Sequence, residues 1–221
     1  MGFQNSAGLD ANQAVALVSK SDRSTFYDVQ ITGYQDTLYA HSQRQFYTNC
    51  TISGTVDFIF GFSATIIQDC KIISKLPEAG HATTITAHGR KGPRQATGFV
   101  IQHCDIVANE KLYPFRSLVK SYLGRPWKKY SRTVVMESNI DDFIQPDGWL
   151  PWGNDFASLD TCFYAEYANV GPGANTDKRA KGKGVKVITD RNEAMNFTAG
   201  PFLTANQWLR EPFYLGLFKG R

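Results

Sequence analysis

Two aspartates in apolar surroundings are the residues of this sequence best suited to catalysis. Asp36 lies in the segment QDTLY, and Asp57 lies in VDFIFG. Desolvating a carboxylate is costly unless the group gains a partner. When two carboxyl groups lie together, one keeps its proton to higher pH while the other stays ionised. The two segments therefore predict a general acid beside a nucleophile or base.

The spacing of four polar residues predicts how this pair is brought together. Gln13 and Gln35 are 22 residues apart, as are Gln35 and Asp57, and Asp36 and Asp57 are 21 apart. In a solenoid of this period, these side chains share one column on successive coils, about 4.8 Å apart. The amides of Gln13 and Gln35 would then donate hydrogen bonds to a developing oxyanion. The alternative is that the aspartates cap turns and the glutamines form a ladder.

A repeat of short strands predicts that solenoid. Ile31, Ile52 and Ile72 follow one another at 21 and 20 residues, and each ends a short segment of alternating polarity. One short strand per repeat, without long amphipathic helices between strands, favours an all-β, parallel β-helix. The alternative is a β-sandwich, but the links between these strands lack the Asn-Gly and Asp-Gly turns of hairpins.

The sequence predicts one domain over residues 1–221, with loop excursions and a short C-terminal helical tail. Residues 77–94 and 109–120 interrupt the repeat and are interpreted as excursions, which often border binding sites. The charge of +4 and the pI near 8.8 are compatible with a polyanionic partner. Nucleic acid is disfavoured because the basic residues form no cluster interleaved with aromatics. No apolar run is long enough to span a bilayer.

A second group of residues predicts a guanidinium and aromatic rings around the acids. The segment YLGRPW presents Arg125 and Trp127 from a rigid turn, so that Arg125 pairs with Asp57. A sugar ring would pack on the aromatic residues. The alternatives are that Arg125 forms a surface ion pair and that the aromatic residues pack in the core. The aromatic candidates are Tyr39, Phe60, Trp127 and Trp152.

Four motifs closely resemble plant pectin methylesterases. They are QAVAL from Gln13, YQDTLY from Tyr34, GTVDFIFG from Gly54 and LGRPW from Leu123. The resemblance runs from about Phe3 to Leu217. It implies a right-handed parallel β-helix and hydrolysis of methyl esters on cell-wall galacturonan by a secreted, monomeric enzyme. A proteinaceous pectinesterase inhibitor is the implied partner, and no metal or organic cofactor is implied.

The resemblance also implies a role for each candidate residue. Asp57 is the expected nucleophile, and Asp36 the general acid and then base. Gln13 and Gln35 would stabilise the oxyanion, and Arg125 would orient Asp57. Tyr39, Phe60, Trp127 and Trp152 would bind the sugar.

The sequence departs from the family pattern in two ways. Family members have earlier coils, an inhibitor-like region and a signal peptide that have no counterpart before Met1, so a pectin-binding coil without catalysis is an alternative function. A glycosidase or lyase is a further alternative, because paired acids also serve glycoside hydrolysis. Phe62 stands where the family usually has a small polar residue, and a ring there is expected to narrow the groove or to change its preference.

The cysteines suggest a disulfide. Cys50 and Cys70 are 20 residues apart and fall in one column of the solenoid, within the Cα separation that a disulfide requires. We predict that they pair if the chain is secreted, with stacked thiols as the alternative. Cys104 continues the column, and Cys162 is not placed by the repeat.

Overall fold

Short parallel strands wind into a right-handed β-helix in a computed structural model that describes residues 1–210. The predicted fold class is confirmed, whereas residues 211–221 of the predicted domain lie outside the described residues. In chain order the strands are β1 (Gly2–Gln4), β2 (Leu17–Ser19), β3 (Ser24–Tyr27), β4 (Gln30–Thr32), β5 (Leu38–Ala40), β6 (Arg44–Thr48), β7 (Thr51–Gly54), β8 (Ile59–Gly61), β9 (Ala64–Gln68), β10 (Lys71–Ser74), β11 (Thr83–His88), β12 (Gly98–Gln102), β13 (Asp105–Ala108), β14 (Ser121–Gly124), β15 (Arg132–Met136), β16 (Asn139–Ile140), β17 (Phe163–Tyr167) and β18 (Val185–Val187).

From β1 to β16, successive strands enter sheets 1, 2 and 3 in turn, whereas β17 and β18 both belong to sheet 3. Sheet 1 has the order β1-β4-β7-β10-β13-β16, and sheet 2 has the order β14-β11-β8-β5-β2. Sheet 3 has the order β18-β17-β15-β12-β9-β6-β3. Because neighbours in a sheet are one coil apart in sequence, the chain pairs residues that are from 20 positions apart, as for Thr51 and Lys71, to 38 positions apart, as for Thr86 and Gly124.

The repeat seen in the sequence is a ladder of buried isoleucines in sheet 1. Ile31 pairs with Ile52, Ile52 with Ile72, and Ile72 with Ile106, and all are fully buried. Strand alternation directs every second side chain inward, so one inward isoleucine per coil builds a continuous core. This ladder fixes the register of the coils.

The first predicted excursion is partly wrong. Residues 83–88 form β11, a fully buried strand that pairs with both β8 and β14. The Gly, Pro and basic residues that flank this segment hid the alternation of its β-branched threonines, which is typical of a strand. The excursion at residues 109–120 is a loop that contains a short 3-10 helix.

Short helices near the C-terminal end of the described residues pack on the outside of sheet 3, in agreement with the predicted helical tail. The buried Ala199 and Leu203 join a cluster with Ile66 and Val100 of that sheet. No helix within residues 1–210 is long and apolar enough to cross a membrane. The α-helices are α1 (Ser158–Thr161), α2 (Arg191–Met195) and α3 (Ala199–Leu203), and the 3-10 helices are Leu9–Ala11, Tyr113–Phe115, Pro172–Ala174 and Ala205–Gln207.

The predicted disulfide between Cys50 and Cys70 is not formed, because both residues are free thiols. The two do stack, and Cys104 continues the column: the Cys50 N–H donates to Cys70 Sγ at 3.2 Å, and the Cys70 N–H donates to Cys104 Sγ at 3.4 Å. Each sulfur lies beside the carbonyl oxygen two residues earlier. Successive sulfurs are therefore expected to repeat with the coil spacing of about 4.8 Å, whereas an S–S bond needs about 2.05 Å.

Candidate active site

Asp36 and Asp57 lie on successive coils at the turn from sheet 1 into sheet 2. The Asp36 N–H donates to the Val56 carbonyl at 3.0 Å, and Leu38 pairs with Ile59, so the two aspartates occupy the same position in neighbouring coils. Both have left-handed backbone conformations, with φ of 60° and 49°. Aspartate tolerates this conformation better than most residues. The shared turn therefore presents both carboxyl groups at one edge of sheet 2.

Asp57 is buried and held by charge-assisted hydrogen bonds. Arg125 Nε donates to Oδ1 at 2.8 Å and to Oδ2 at 3.1 Å, and its Nη2 donates to Oδ2 at 2.7 Å. The Thr84 hydroxyl donates to Oδ1 at 2.6 Å. Only 5% of Asp57 is exposed. A bidentate guanidinium fixes the orientation of a carboxylate.

Thr84 is a site residue that sequence reasoning missed. It lies in β11, where Thr86 pairs with Ile59, and this register places Thr84 one coil beyond Asp57. Its hydroxyl also accepts the Asp57 N–H at 2.9 Å. The repeat of strands continues through β11, but the assignment of residues 77–94 to a loop excursion concealed this strand. Placing β11 correctly would have extended the column of acids by one coil to Thr84.

Replacing Thr84 by valine is expected to lower the free energy of unfolding by about 1–3 kcal/mol. The substitution leaves the Asp57 N–H without its acceptor and removes one hydrogen bond to a buried carboxylate. Urea denaturation at neutral pH measures the change.

The neighbouring Thr83 provides a matched control. It is also fully buried, and its hydroxyl has no hydrogen-bond partner among the described residues. Thr83→Val should therefore be nearly neutral. Equal losses for the two variants would contradict the role given to the Thr84 hydroxyl.

Asp36 is the second carboxyl group and differs from Asp57 in its surroundings. It is partly buried, and no described residue forms a hydrogen bond with its carboxyl oxygens. Desolvation, and after it the charge of Asp57, raises the pKa of Asp36 to about 7, while the charge of Arg125 opposes the shift. The pair therefore combines a carboxyl group that keeps its proton to higher pH than usual with a neighbour that a guanidinium orients.

The two glutamines stack beside the acids in a column of their own. Gln13 and Gln35 form a parallel bridge, with the Ala14 N–H donating to the Gln35 carbonyl at 3.2 Å. The prediction that Asp57 follows Gln35 in one column is wrong. Asp57 lies opposite Asp36, and Gln35 lies opposite Val56. The coil between the glutamines is one residue longer than the coil between the aspartates, so the spacing of 22 does not extend to Asp57.

Three of the four predicted aromatic residues form one surface on sheet 2, joined by Phe62. Tyr39 stacks on Phe60 with ring centroids 4.4 Å apart, and Phe60 meets Trp127 edge-on at 6.0 Å. Phe62 packs against Trp127 at 4.7 Å. We call these four residues the aromatic surface. The Trp152 ring lies 4.5 Å from the Arg125 guanidinium and lines one pocket with Trp127.

The turn after β14 brings Arg125 to the acids. The Arg125 N–H donates to the Thr86 carbonyl at 3.0 Å, which adds one more rung to sheet 2. A side chain at Gly124 would lie 2.1 Å from Thr86 Oγ1, so only glycine allows this close approach. Pro126 follows and restricts the chain further. The guanidinium is thereby fixed between Asp57 and the Trp152 ring.

Asp57, Arg125 and Trp152 are in contact, Asp36 lies opposite Asp57, and Tyr39, Phe60 and Trp127 form one surface on sheet 2, while Gln13 and Gln35 pair with each other on neighbouring coils. The chemistry of this site is that of a carboxyl group with a raised pKa next to a carboxylate that a guanidinium orients. Such a set suits attack on an electrophilic carbon with proton transfer to a leaving group. Residues 1–210 contain no cluster of three or more His, Cys, Asp or Glu side chains suited to a metal ion.

Comparisons with known proteins identify the family. The Pectinesterase family model matches residues 1–206. The chain is 53% identical to "Pectinesterase/pectinesterase inhibitor U1" of Solanum lycopersicum over 218 residues, which is 97% of this chain but 37% of that protein. The structure of pectin methylesterase from carrot superposes with a TM-score of 0.93 at 52% identity, covering 95% of this chain and 65% of that one.

A more distant structure is that of a pectin methylesterase in complex with a hexasaccharide. It has a TM-score of 0.70 and 26% identity, and the match covers 91% of this chain and 68% of that one. The family match, the identity to plant proteins and the superposition agree over nearly the whole chain. This chain belongs to the pectinesterase family.

Proposed function

We propose that this protein hydrolyses methyl esters of galacturonan and releases methanol and a free uronate. The observation that carries the proposal is the stacking of Asp36 on Asp57 beneath the bidentate Arg125. This arrangement gives the two carboxyl groups different roles, with Asp36 as the acid and Asp57 as the nucleophile. Family membership supports the choice of a methyl ester as the electrophile.

In the first step, Asp57 attacks the ester carbonyl. Its carboxylate forms a bond to the carbonyl carbon, and the developing oxyanion accepts hydrogen bonds from the amides of Gln13 and Gln35. Asp36 then donates its proton to the leaving methoxide as the bond between the carbonyl carbon and the methoxy oxygen breaks. Methanol leaves, and an acid anhydride joins Asp57 to the substrate.

In the second step, Asp36 acts as a base. Its carboxylate takes a proton from water, and the resulting hydroxide attacks the anhydride carbonyl of the substrate. The bond to Asp57 breaks, which returns both aspartates to their starting states. The sum is one ester and one water converted into one carboxylic acid and one methanol.

The substrate is proposed to bind along sheet 2. Pyranose rings pack on the faces of Tyr39, Phe60 and Trp127, while Trp152 holds Arg125 in place from the other side. The hexasaccharide complex of a family member supports an extended sugar chain as the ligand. A monomeric enzyme of the plant cell wall, with a pectinesterase inhibitor as partner, is the biological setting that we propose.

A methanol-release assay on highly esterified pectin tests the proposal. Wild-type protein should release methanol above the blank, while the length of the polymer stays constant. Binding of pectin without methanol would instead identify a non-catalytic pectin-binding coil. Shortening of de-esterified galacturonan would identify a glycosidase or lyase. Either result would overturn the esterase proposal.

A further inference from the structure

A buried ion pair lies on the inward face of β17. The Glu166 carboxylate accepts hydrogen bonds from Arg179 Nε at 2.7 Å and from Arg179 Nη2 at 2.9 Å, and the two side chains are 3% and 5% exposed. Arg179 also donates to the carbonyl oxygens of Pro146 and Gly173 at 3.0 and 2.7 Å. The catalytic steps proposed above use neither member of this pair.

Such a pair contributes little stability by itself. Desolvating two charges offsets most of their attraction, and apolar side chains of similar volume often stabilise a core equally well. What the pair provides is direction, because a carboxylate held by a bidentate guanidinium has one orientation and offers its lone pairs at fixed positions. The group that this orientation controls is the third hydrogen-bond donor to Glu166.

That third donor is Trp149, which is only 1% exposed. Its Nε1–H donates to Glu166 Oε1 at 3.2 Å, and its ring stacks on Tyr164 with centroids 4.3 Å apart. The Tyr164 hydroxyl is itself hydrogen-bonded to Ser131 Oγ at 3.0 Å. The indole is therefore held at its edge by a directional hydrogen bond and on its face by an anchored ring.

The backbone of Trp149 adds a rung to sheet 2 next to the end of β14. Gly124 and Trp149 form a parallel bridge. The Leu123 N–H donates to the Gly148 carbonyl at 2.8 Å, and the Leu150 N–H donates to the Gly124 carbonyl at 3.0 Å. Because the indole is fixed, the position of this rung against β14 is fixed as well.

Arg125 is connected to this rung on two sides. It directly follows Gly124 in the chain, and the Trp152 ring, three residues after Trp149, lies 4.5 Å from its guanidinium. A shift of Trp149 would therefore move both the backbone that carries Arg125 and the ring that packs on it. Since Nε and Nη2 of the guanidinium bond both carboxylate oxygens of Asp57, such a shift would turn that carboxylate.

We propose that Glu166 is a positioning residue for Arg125. Held by Arg179, its carboxylate orients the Trp149 indole, and the rung of sheet 2 that Trp149 forms keeps the Arg125 guanidinium on Asp57. The inference rests on the proposed function and extends the machinery of that site into the core of the coil. Because Glu166 is buried, it acts without touching the substrate.

Steady-state kinetics on esterified pectin test this role. Glu166→Gln removes the charge that pairs with Arg179 and should lower kcat about ten- to a hundredfold, because a displacement of about 1 Å at the reacting groups costs this much. Trp149→Phe keeps the ion pair and removes the Nε1–H, so it should lower kcat in the same range even if Glu166→Gln folds poorly. An unchanged kcat in either folded variant would overturn the inference.

A double-mutant cycle tests whether Glu166 acts through Arg125. Arg125→Lys keeps the positive charge but loses the bidentate fork. In that background, Glu166→Gln should lower kcat by less than about twofold, since no fork remains to be oriented. A loss as large as in the wild-type background would mean that the two residues act independently, and would overturn the inference.

Leu203→Ala is the control for lost stability. Leu203 is buried in α3, which packs on the outside of sheet 3, so its truncation leaves a cavity far from Glu166 in the fold. This variant should have a lower melting temperature but wild-type kcat when assayed below its unfolding transition. A fall in kcat equal to that of Glu166→Gln would mean that lost stability alone lowers activity, and would overturn the positioning role.

The ionisation of Asp36 keeps this inference separate from the esterase proposal. Desolvation, and after it the charge of Asp57, raises the pKa of Asp36 to about 7, and the charge of Arg125 opposes the rise. If the guanidinium moves away in Glu166→Gln, this pKa should rise further, which NMR of the carboxyl carbons measures without substrate.

The two possible failures give different results in that measurement. A higher pKa of Asp36 in Glu166→Gln, with none in Leu203→Ala, supports the positioning role even if wild-type protein releases no methanol. An unchanged pKa of Asp36, in a protein whose wild type does release methanol, would overturn the positioning role and leave the esterase proposal standing.

Discussion

Asp57→Asn is expected to reduce methanol release from esterified pectin by about a thousandfold or more. Loss of a covalent nucleophile costs this much in enzymes whose catalytic residues act as a unit. Asparagine has nearly the same shape as aspartate and also tolerates the left-handed backbone at φ 49°. It lacks the negative charge that attacks the ester in the proposed mechanism and that pairs with Arg125, so we expect the chemistry to be lost while the turn is kept.

The control for this variant is Asp28→Asn. Asp28 also has a left-handed backbone, with φ of 52°, but it is exposed at the turn from sheet 3 into sheet 1. That variant should retain wild-type methanol release. Circular dichroism and a thermal melt check that Asp57→Asn remains folded with Arg125 unpaired. A folded Asp57→Asn protein with more than about a tenth of wild-type activity would rule out Asp57 as the nucleophile, because a nucleophile's loss costs far more.

Asp36→Asn is expected to lower kcat by about a hundred- to ten-thousandfold. The asparagine side chain has no proton to give to methoxide and cannot take one from water. In the wild type, the pKa of Asp36 is raised to about 7 by desolvation and by Asp57. Since the first step needs protonated Asp36, kcat/KM should fall about tenfold per pH unit as the pH rises above about 7.

The raised pKa of Asp36 also predicts how stability depends on pH. Folding favours the protonated form of this carboxyl group, so its ionisation weakens the native state as the pH rises from about 4 to above about 7. An asparagine side chain at this position has no charge to gain and escapes the loss. The melting temperature of Asp36→Asn relative to wild type should therefore be higher at about pH 8 than at about pH 5. A difference in melting temperature between Asp36→Asn and wild type that does not depend on pH would contradict the raised pKa of Asp36.

The fold could be predicted wherever one inward residue marks each coil. Ile31, Ile52 and Ile72 recur at 21 and 20 residues because the strands that carry them are joined by turns of nearly constant length. The regular spacing between strands ends at β11, because a longer loop before Thr83 moves this strand further along the sequence. A local pattern cannot tell how far a loop of variable length displaces the next strand.

The candidate site, like the fold, could be predicted from the sequence only where the coils have regular length. The stacking of Asp36 and Asp57 could be predicted because both lie in coils of regular length. The disulfide between Cys50 and Cys70 was predicted from the same spacing and is not formed. Spacing fixes the distance between two Cα atoms, but it does not fix the direction in which each sulfur points.

The sequence by itself determined the winding of the chain, the paired acids and the family, because these depend on residue types at near-constant intervals. Only the tertiary structure decided which groups meet across several coils. It placed the Thr84 hydroxyl on Asp57, the Phe62 ring on Trp127 and the Trp152 ring on Arg125. Those contacts depend on loop lengths and side-chain directions, which become fixed only when the coils pack together.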